Sequence, residues 1–131
     1  MRLEAEKRTP IDNVKEKKIR ATLSALRSYG PSSFASLTDE SGSYLQVAGG
    51  GPHCLLEHYN APEDKFYRAY LDTKHKVFAD GTVLAFGGGE LKLLSDEWIS
   101  IAVVIDAFLA FLHHSGLPAG IKWRDVTKNF R

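Results

Sequence analysis

The side chains able to ligate a metal or attack a substrate are few: Cys54 is the single cysteine, and the histidines are His53, His58, His75, His113 and His114. His53 and Cys54 are neighbours in an apolar, β-prone run and so point to opposite faces. Cys54 and His58 would share a face, but four residues of extended chain separate them by ~13 Å, too far to hold one ion. No metal site is expected. His113 and His114 close a helical stretch, where the dipole favours a positive imidazole. Cys54 reads as a small buried hydrophobe, and no Gly-x-Ser-x-Gly elbow supplies another nucleophile. The runs Gly49-Gly50-Gly51 and Gly87-Gly88-Gly89 lack the Lys and Ser/Thr of a phosphate loop and the spaced glycines of a dinucleotide turn, so they are expected to be hairpin turns. The carboxylates fall mostly in loops, and no spacing pairs them for acid/base work. Catalysis has no candidate set, so neither enzymatic activity nor a cofactor is expected.

The elements that would position these residues can be read from periodicity. Thr9, Pro10 and Asp12 form a helix start, with Thr9 as cap and Asp12 near the positive end of the dipole. Ile19, Leu23 and Leu26 then recur at helical spacing until Gly30 and Pro31 stop the run. Residues 1–9 carry no periodic pattern and are expected to be a flexible basic arm. Six β-prone runs follow: Phe34 to Thr38, Tyr44 to Ala48, Cys54 to Tyr59, Phe66 to Leu71, Thr82 to Phe86 and Glu90 to Leu94. Most separators are too short for a crossover helix, which makes the strands an antiparallel meander. The Lys74 to Asp80 stretch could hold a further strand or a loop. A second helix begins at Ser95 with Asp96 and Glu97 in its first turn, and ends at Gly116 and Pro118. On it Trp98, Ile101, Ala102, Ile105, Phe108, Leu109 and Leu112 fall on one arc that must cover a sheet. Ile121 to Val126 reads as a closing strand. The fold class is therefore α+β: one domain spanning residues 1–131, an antiparallel meander of about six to seven strands, and an N-terminal and a C-terminal helix packed on one face.

Composition supports a folded domain, with 44 % hydrophobic and 25 % charged residues over 131 positions. No run reaches the ~18 apolar residues of a membrane span, Met1 to Pro10 is too polar for a secretory signal, and one unpaired cysteine suits a reducing compartment, so a cytoplasmic location is expected. The net charge of +1 conceals a split: Ala21 to Ala119 holds 6 basic and 11 acidic residues, a net −5 framed by basic ends. An acidic body repels phosphate backbones and attracts cationic proteins. The basic and aromatic residues Lys122, Trp123, Arg124, Lys128, Phe130 and Arg131 are too few to outweigh it, and no nucleic-acid fold signature accompanies them.

The order of elements carries a resemblance. A leading helix, then Ser36-Leu37-Thr38-Asp39 and Tyr44-Leu45-Gln46-Val47-Ala48-Gly49, then Gly81-Thr82-Val83-Leu84-Ala85-Phe86 with an acidic-then-apolar segment, and finally a helix ending Ser115-Gly116-Leu117-Pro118 before Ile121-Lys122-Trp123, together resemble immunity protein family one of bacterial polymorphic toxin systems over roughly residues 20–126. The resemblance implies a cytoplasmic protein encoded beside a toxin, often a nucleic-acid deaminase or nuclease, whose active site it blocks by direct binding. It implies no activity and no cofactor.

The residues are compatible with that role. In Phe66 to Leu71, Tyr67, Ala69 and Leu71 point one way while Phe66 and Tyr70 point the other with Arg68, so one set is left for a surface. Tyr, Phe and Arg are types enriched at binding hot spots. The expected partner-binding rim is Glu57, Glu63, Asp64, Asp72, Asp80 and Glu90, with Tyr44, Tyr59, Phe66 and Tyr70 as anchors and a cationic toxin domain as partner. The competing expectations are a small-molecule module with a pocket between sheet and helices, a homodimer through the same aromatic face, and a minor enzyme using Cys54 or the histidines.

Overall fold

The computed structural model describes residues 1–130. In chain order its elements are β1 (Arg2–Ala5), β2 (Ile11–Asp12), α1 (Glu16–Ser24), β3 (Phe34–Thr38), β4 (Tyr44–Gly50), β5 (His53–Asn60), β6 (Lys65–Tyr70), β7 (Thr82–Phe86), β8 (Gly89–Leu93), α2 (Ile101–Leu112) and β9 (Lys122–Asp125), with a 3-10 turn at Thr127–Asn129. Seven strands form one antiparallel sheet in the order β2-β1-β3-β4-β5-β6-β9, and β7 with β8 forms a second, two-stranded one. The class is α+β, as the alternation of the apolar runs requires.

Period-two side chains put Leu3, Ala35, Leu37, Leu45, Val47, Cys54, Leu56 and Ala69 on one face of the large sheet, where all are buried. Onto that face pack Ile19 and Leu23 of α1, Leu26 just beyond it, and Val104, Ala107, Phe108 and Leu109 of α2. The two helices also touch each other, so both lie on one side. The turn from β4 to β5 demands glycine. A Cβ on Gly50 would meet the Leu26 carbonyl oxygen at 2.2 Å, and Gly49 has φ of +90°.

The opposite face carries a smaller core. The β7–β8 hairpin folds back over one end of it, bringing Leu84, Leu91 and Leu93 onto Ala48 and Leu55, with Trp98, Phe34, Phe78 and Phe86 around them. The meander expected from the sequence is thus interrupted: after β6 the chain leaves the sheet, builds this cover, and returns as β9 beside β6. The hairpin is tied down through Ser33, whose N–H and hydroxyl donate to Glu6 at 2.8 and 2.7 Å and whose Oγ accepts the Gly87 N–H at 2.8 Å. Lys74 to Asp80 forms loop and turn rather than a strand.

Three boundaries differ from the sequence reading. Residues 2–5 are not a loose arm; they are a sheet strand between β2 and β3, and Leu3 is buried. The first helix does not start at Thr9. Ile11 pairs with Leu3 and packs on the main core, so strand pairing outcompetes the local Thr-Pro signal, and the helix opens after Lys15. The second helix opens at Ile101 rather than Ser95, because Ile99 gives both backbone groups to Cys54 at 2.8 Å in each direction and Glu97 accepts the Leu94 N–H at 2.7 Å. Trp98 accordingly serves the smaller core instead of the helical arc.

Candidate protein-docking face

Register divides the face opposite the helices into three cross-strand rows. The first, at the apolar end, contains Phe34, Ala48 and Leu55 and is roofed by the hairpin. The middle row is polar: Glu4, Ser36, Gln46, Glu57, Arg68 and Arg124 stand opposite one another on β1, β3, β4, β5, β6 and β9. The third row, at the end the hairpin leaves uncovered, aligns Tyr44, Tyr59 and Phe66.

The polar row is a ladder of ion pairs. Arg68 donates Nε and Nη2 to Glu57 Oε2 at 3.0 and 2.9 Å, and Gln46 donates to Glu57 Oε1 at 3.0 Å. Glu97, from the segment after the hairpin, lies 3.6 Å from Arg68 Nη1 and accepts from Arg124 Nη1 at 2.7 Å. Arg124 also grips Asp96 and stacks 4.3 Å over the Tyr70 ring. Glu57 is 5 % exposed and Glu97 2 %. At that depth the pairs must be satisfied internally, and they hold the sheet centre to the strap at residues 94–98.

The aromatic row continues across strands at short ring distances: Tyr44 to Tyr59 at 5.4 Å, Tyr59 to Phe66 at 4.5 Å, and Phe66 to Phe130 at 4.2 Å in a stacked pair. The first three rings are half-buried and Phe130 is 40 % exposed. Burial, with help from the Glu57 carboxylate and Tyr59, pushes the Tyr44 hydroxyl up from its ordinary value, so it remains protonated and able to donate. Two acidic loops edge the row. Asp39 and Glu40 lie in the β3–β4 turn, Glu63 and Asp64 in the β5–β6 turn, and the Ser43 hydroxyl accepts the Ala61 N–H at 2.9 Å, holding the loops side by side. Asp64 accepts the Tyr59 hydroxyl at 2.9 Å. Asp125 adds a carboxylate beside Glu63 and Asp64, among the cations Lys65 and Lys128, while Met1 lies by Asp39 and Glu40.

Of the residues expected at a rim, the fold therefore gathers Glu63, Asp64, Tyr44, Tyr59 and Phe66 at one end. Asp72, paired with Lys122, Asp80, which accepts the Ser95 N–H, Glu90 on the hairpin, and Tyr70 under Arg124 lie elsewhere. Glu57 corrects the expectation of an exposed rim residue: its strand position faces the right side, but Arg68 and the strap bury it. Phe130, Asp39 and Glu40 were missed. Direct opposition to Tyr59 and Phe66, or proximity to them, comes from strand pairing and chain end rather than from any local motif. Arg131, the last of the basic and aromatic set near the C-terminus, lies outside the described residues.

The potential chemistry-bearing groups are dispersed. Cys54 is buried under α2, and desolvation pushes its thiol up to about 12. His58 sits on the helix side among Tyr67, Phe111 and Trp123, where burial lowers its pKa. On the opposite face His75 stacks on Phe78 and His53 packs tilted against both, and the His75 Nδ1 accepts the Val77 and Phe78 N–H groups. Among the described residues no three His, Cys, Asp or Glu side chains converge as metal ligands, and no helix is long and apolar enough to cross a membrane. The chain matches no protein-family model, and no curated protein matches it either.

Proposed function

We propose that this chain is an immunity protein, a cytoplasmic inhibitor that docks on a cognate bacterial toxin acting on nucleic acid and occludes its active site. The observation that carries the reading is the aromatic row Tyr44, Tyr59, Phe66 and Phe130 lying on an uncovered end of the sheet beside two adjacent acidic loops. A toxin that processes nucleic acid needs a cationic cleft to hold phosphates, and Asp39, Glu40, Glu63 and Asp64 offer such a cleft an anionic surface. The charges steer encounter and raise the association rate. The rings, rigid and amphipathic, slow dissociation once water is excluded. The resemblance of the chain to immunity protein family one points the same way.

A small-molecule module fits less well. The space between sheet and helices, where its pocket was expected, is filled by the main core. The most enclosed concavity among the described residues is a groove of about 280 Å³ on the other face, and the roomier ones, about 340 to 720 Å³, are shallower depressions of the surface that would leave a ligand largely in water.

The test is protection. Co-expression with the toxin domain encoded in the neighbouring reading frame should preserve growth with the wild-type chain. It should fail with the Tyr59→Ala/Phe66→Ala variant, provided that variant keeps its circular dichroism and melting cooperativity. Full protection by a folded double variant would remove the aromatic row from the account.

A further inference from the structure

We propose that the groove beside the hairpin is a receptor for a single arginine side chain of the docking protein. The inference rests on the reading of the chain as a protein-binding inhibitor and adds the chemistry of one contact. The groove takes up the β1–β3–β4–β5 half of the polar row: Glu4, Ser36, Gln46 and Glu57 form its floor and edge, and Phe34, Phe86 and Leu91 its walls. It adjoins the docking face, because Gln46 and Glu57 are two residues along their strands from Tyr44 and Tyr59, about 7 Å away.

Charge comes first. The ladder holds three carboxylates, Glu57, Asp96 and Glu97, but two guanidinium groups, Arg68 and Arg124. Fully ionised, it keeps one surplus negative charge where three of the five groups are more than nine-tenths buried. Both guanidinium groups stand on the β6–β9 side, Arg68 held by Glu57 Oε2 and Arg124 shared by Asp96 and Glu97, so the surplus lies nearest the strap and Glu57 meets the groove with Oε1, the oxygen that Arg68 leaves to Gln46. Glu4 at the edge shares its carboxylate with the exposed Arg2.

Acceptors come second. Glu57 Oε1 takes one hydrogen bond, from Gln46, while the Gln46 carbonyl oxygen and the Ser36 hydroxyl have no protein partner among the described residues. An incoming group therefore meets an excess of acceptors, which suits a guanidinium with its five fixed donors better than a compact ammonium. Shape comes third. Phe34 and Phe86 meet edge to face, 6.0 Å apart, and offer a planar cation aromatic walls.

The probe is N-acetyl-arginine-methylamide, titrated into the full chain and followed by amide NMR, with the citrulline analogue as the uncharged isostere. Saturable shifts are expected at residues 34–36, 46–48 and 55–57 and at the Gln46 side-chain amide, with a Kd on the order of 1 mM. Citrulline should bind at least about tenfold more weakly, losing the charge-assisted contacts. Ser36→Leu, which fills the floor without touching the ion pairs, should abolish the shifts in a protein of unchanged fold. Absence of saturable shifts, equal binding of citrulline, or shifts centred on the 39–40 and 63–64 loops would overturn the proposal. If the groove ignores arginine and Ser36→Leu still neutralises the toxin, the receptor falls and the inhibitor reading stands. If the groove binds arginine but no toxin is neutralised, the inhibitor reading falls and the receptor stands.

Discussion

Glu57 and Arg68 hold each other in a region where water barely reaches, so the loss of either leaves an uncompensated charge. Arg68→Ala should cost about 3–5 kcal/mol in urea unfolding, whereas replacing both by apolar residues of similar size should cost far less. A single-variant cost under 1 kcal/mol would mean that the pair is solvated. Both residues were legible as strand residues on the correct face, yet their burial was not, since Glu97 reaches them from a strap that follows the β7–β8 hairpin. The burial of Cys54 was legible, because an apolar strand run around a thiol places it in a core. With its thiol pushed up to about 12 by desolvation, it should resist a thiol reagent at pH 8 in the native protein and react only on unfolding. Stoichiometric labelling of the folded chain would reopen a nucleophilic role.

At the scale of elements, the hairpin and the terminal strand explain most of what the sequence concealed. The apolar alternation of Thr82 to Phe86 and Glu90 to Leu94 reveals two strands, but nothing local states whether they extend the large sheet or fold onto it. That choice is made by Ala48 and Leu55, which present a small apolar patch to Leu84, Leu91 and Leu93, and by Ser33, which bridges Glu6 to Gly87. Ser33→Ala leaves the Gly87 N–H without its acceptor and takes one of two donors from Glu6, and should lower stability by about 1–2 kcal/mol while speeding amide exchange at Gly87. Unchanged exchange there would show that the hairpin is held by packing alone. The starts of both helices were misplaced for one reason. Caps such as Thr9 and Ser95 are weak local signals, each worth about 1 kcal/mol, and the pairing of Ile11 with Leu3 and of Ile99 with Cys54 exceeds them. The arc read on α2 was right at its centre and wrong at its edge: Phe108 and Leu109 are buried, Ile101, Ile105 and Leu112 are half-buried, Ala102 is exposed, and Ala107, outside the arc, is buried with Val104 because the core contact is rotated around the helix. Phe108→Ala, in the centre of that arc, should cost about 3–5 kcal/mol.

Across the whole molecule, charge and pH act together. His58 is half-buried among aromatic rings, so its folded pKa lies below the ordinary 6.5. The unfolded chain then takes up this proton first. The contribution of His58 to stability is complete above pH 6.5 and declines as pH falls toward the lower folded value. His58→Phe should flatten that part of the stability profile relative to wild type, and an unchanged profile would place the imidazole in solvent. The acid-rich body was visible in composition, but its focus was not: Asp39, Glu40, Glu63 and Asp64 converge only because two hairpin turns lie side by side at the end of the sheet where the aromatic row lies. In the proposed inhibitor, this end of the sheet steers a cationic toxin onto the rings. The direct measurement is the association rate with the toxin domain at low and high salt, for wild type and for Asp39→Lys/Glu40→Lys/Glu63→Lys/Asp64→Lys. The wild-type rate should fall steeply with salt, and the charge-reversed variant should associate at least about tenfold more slowly at low salt, converging with wild type at high salt. Equal rates at low salt would contradict the account.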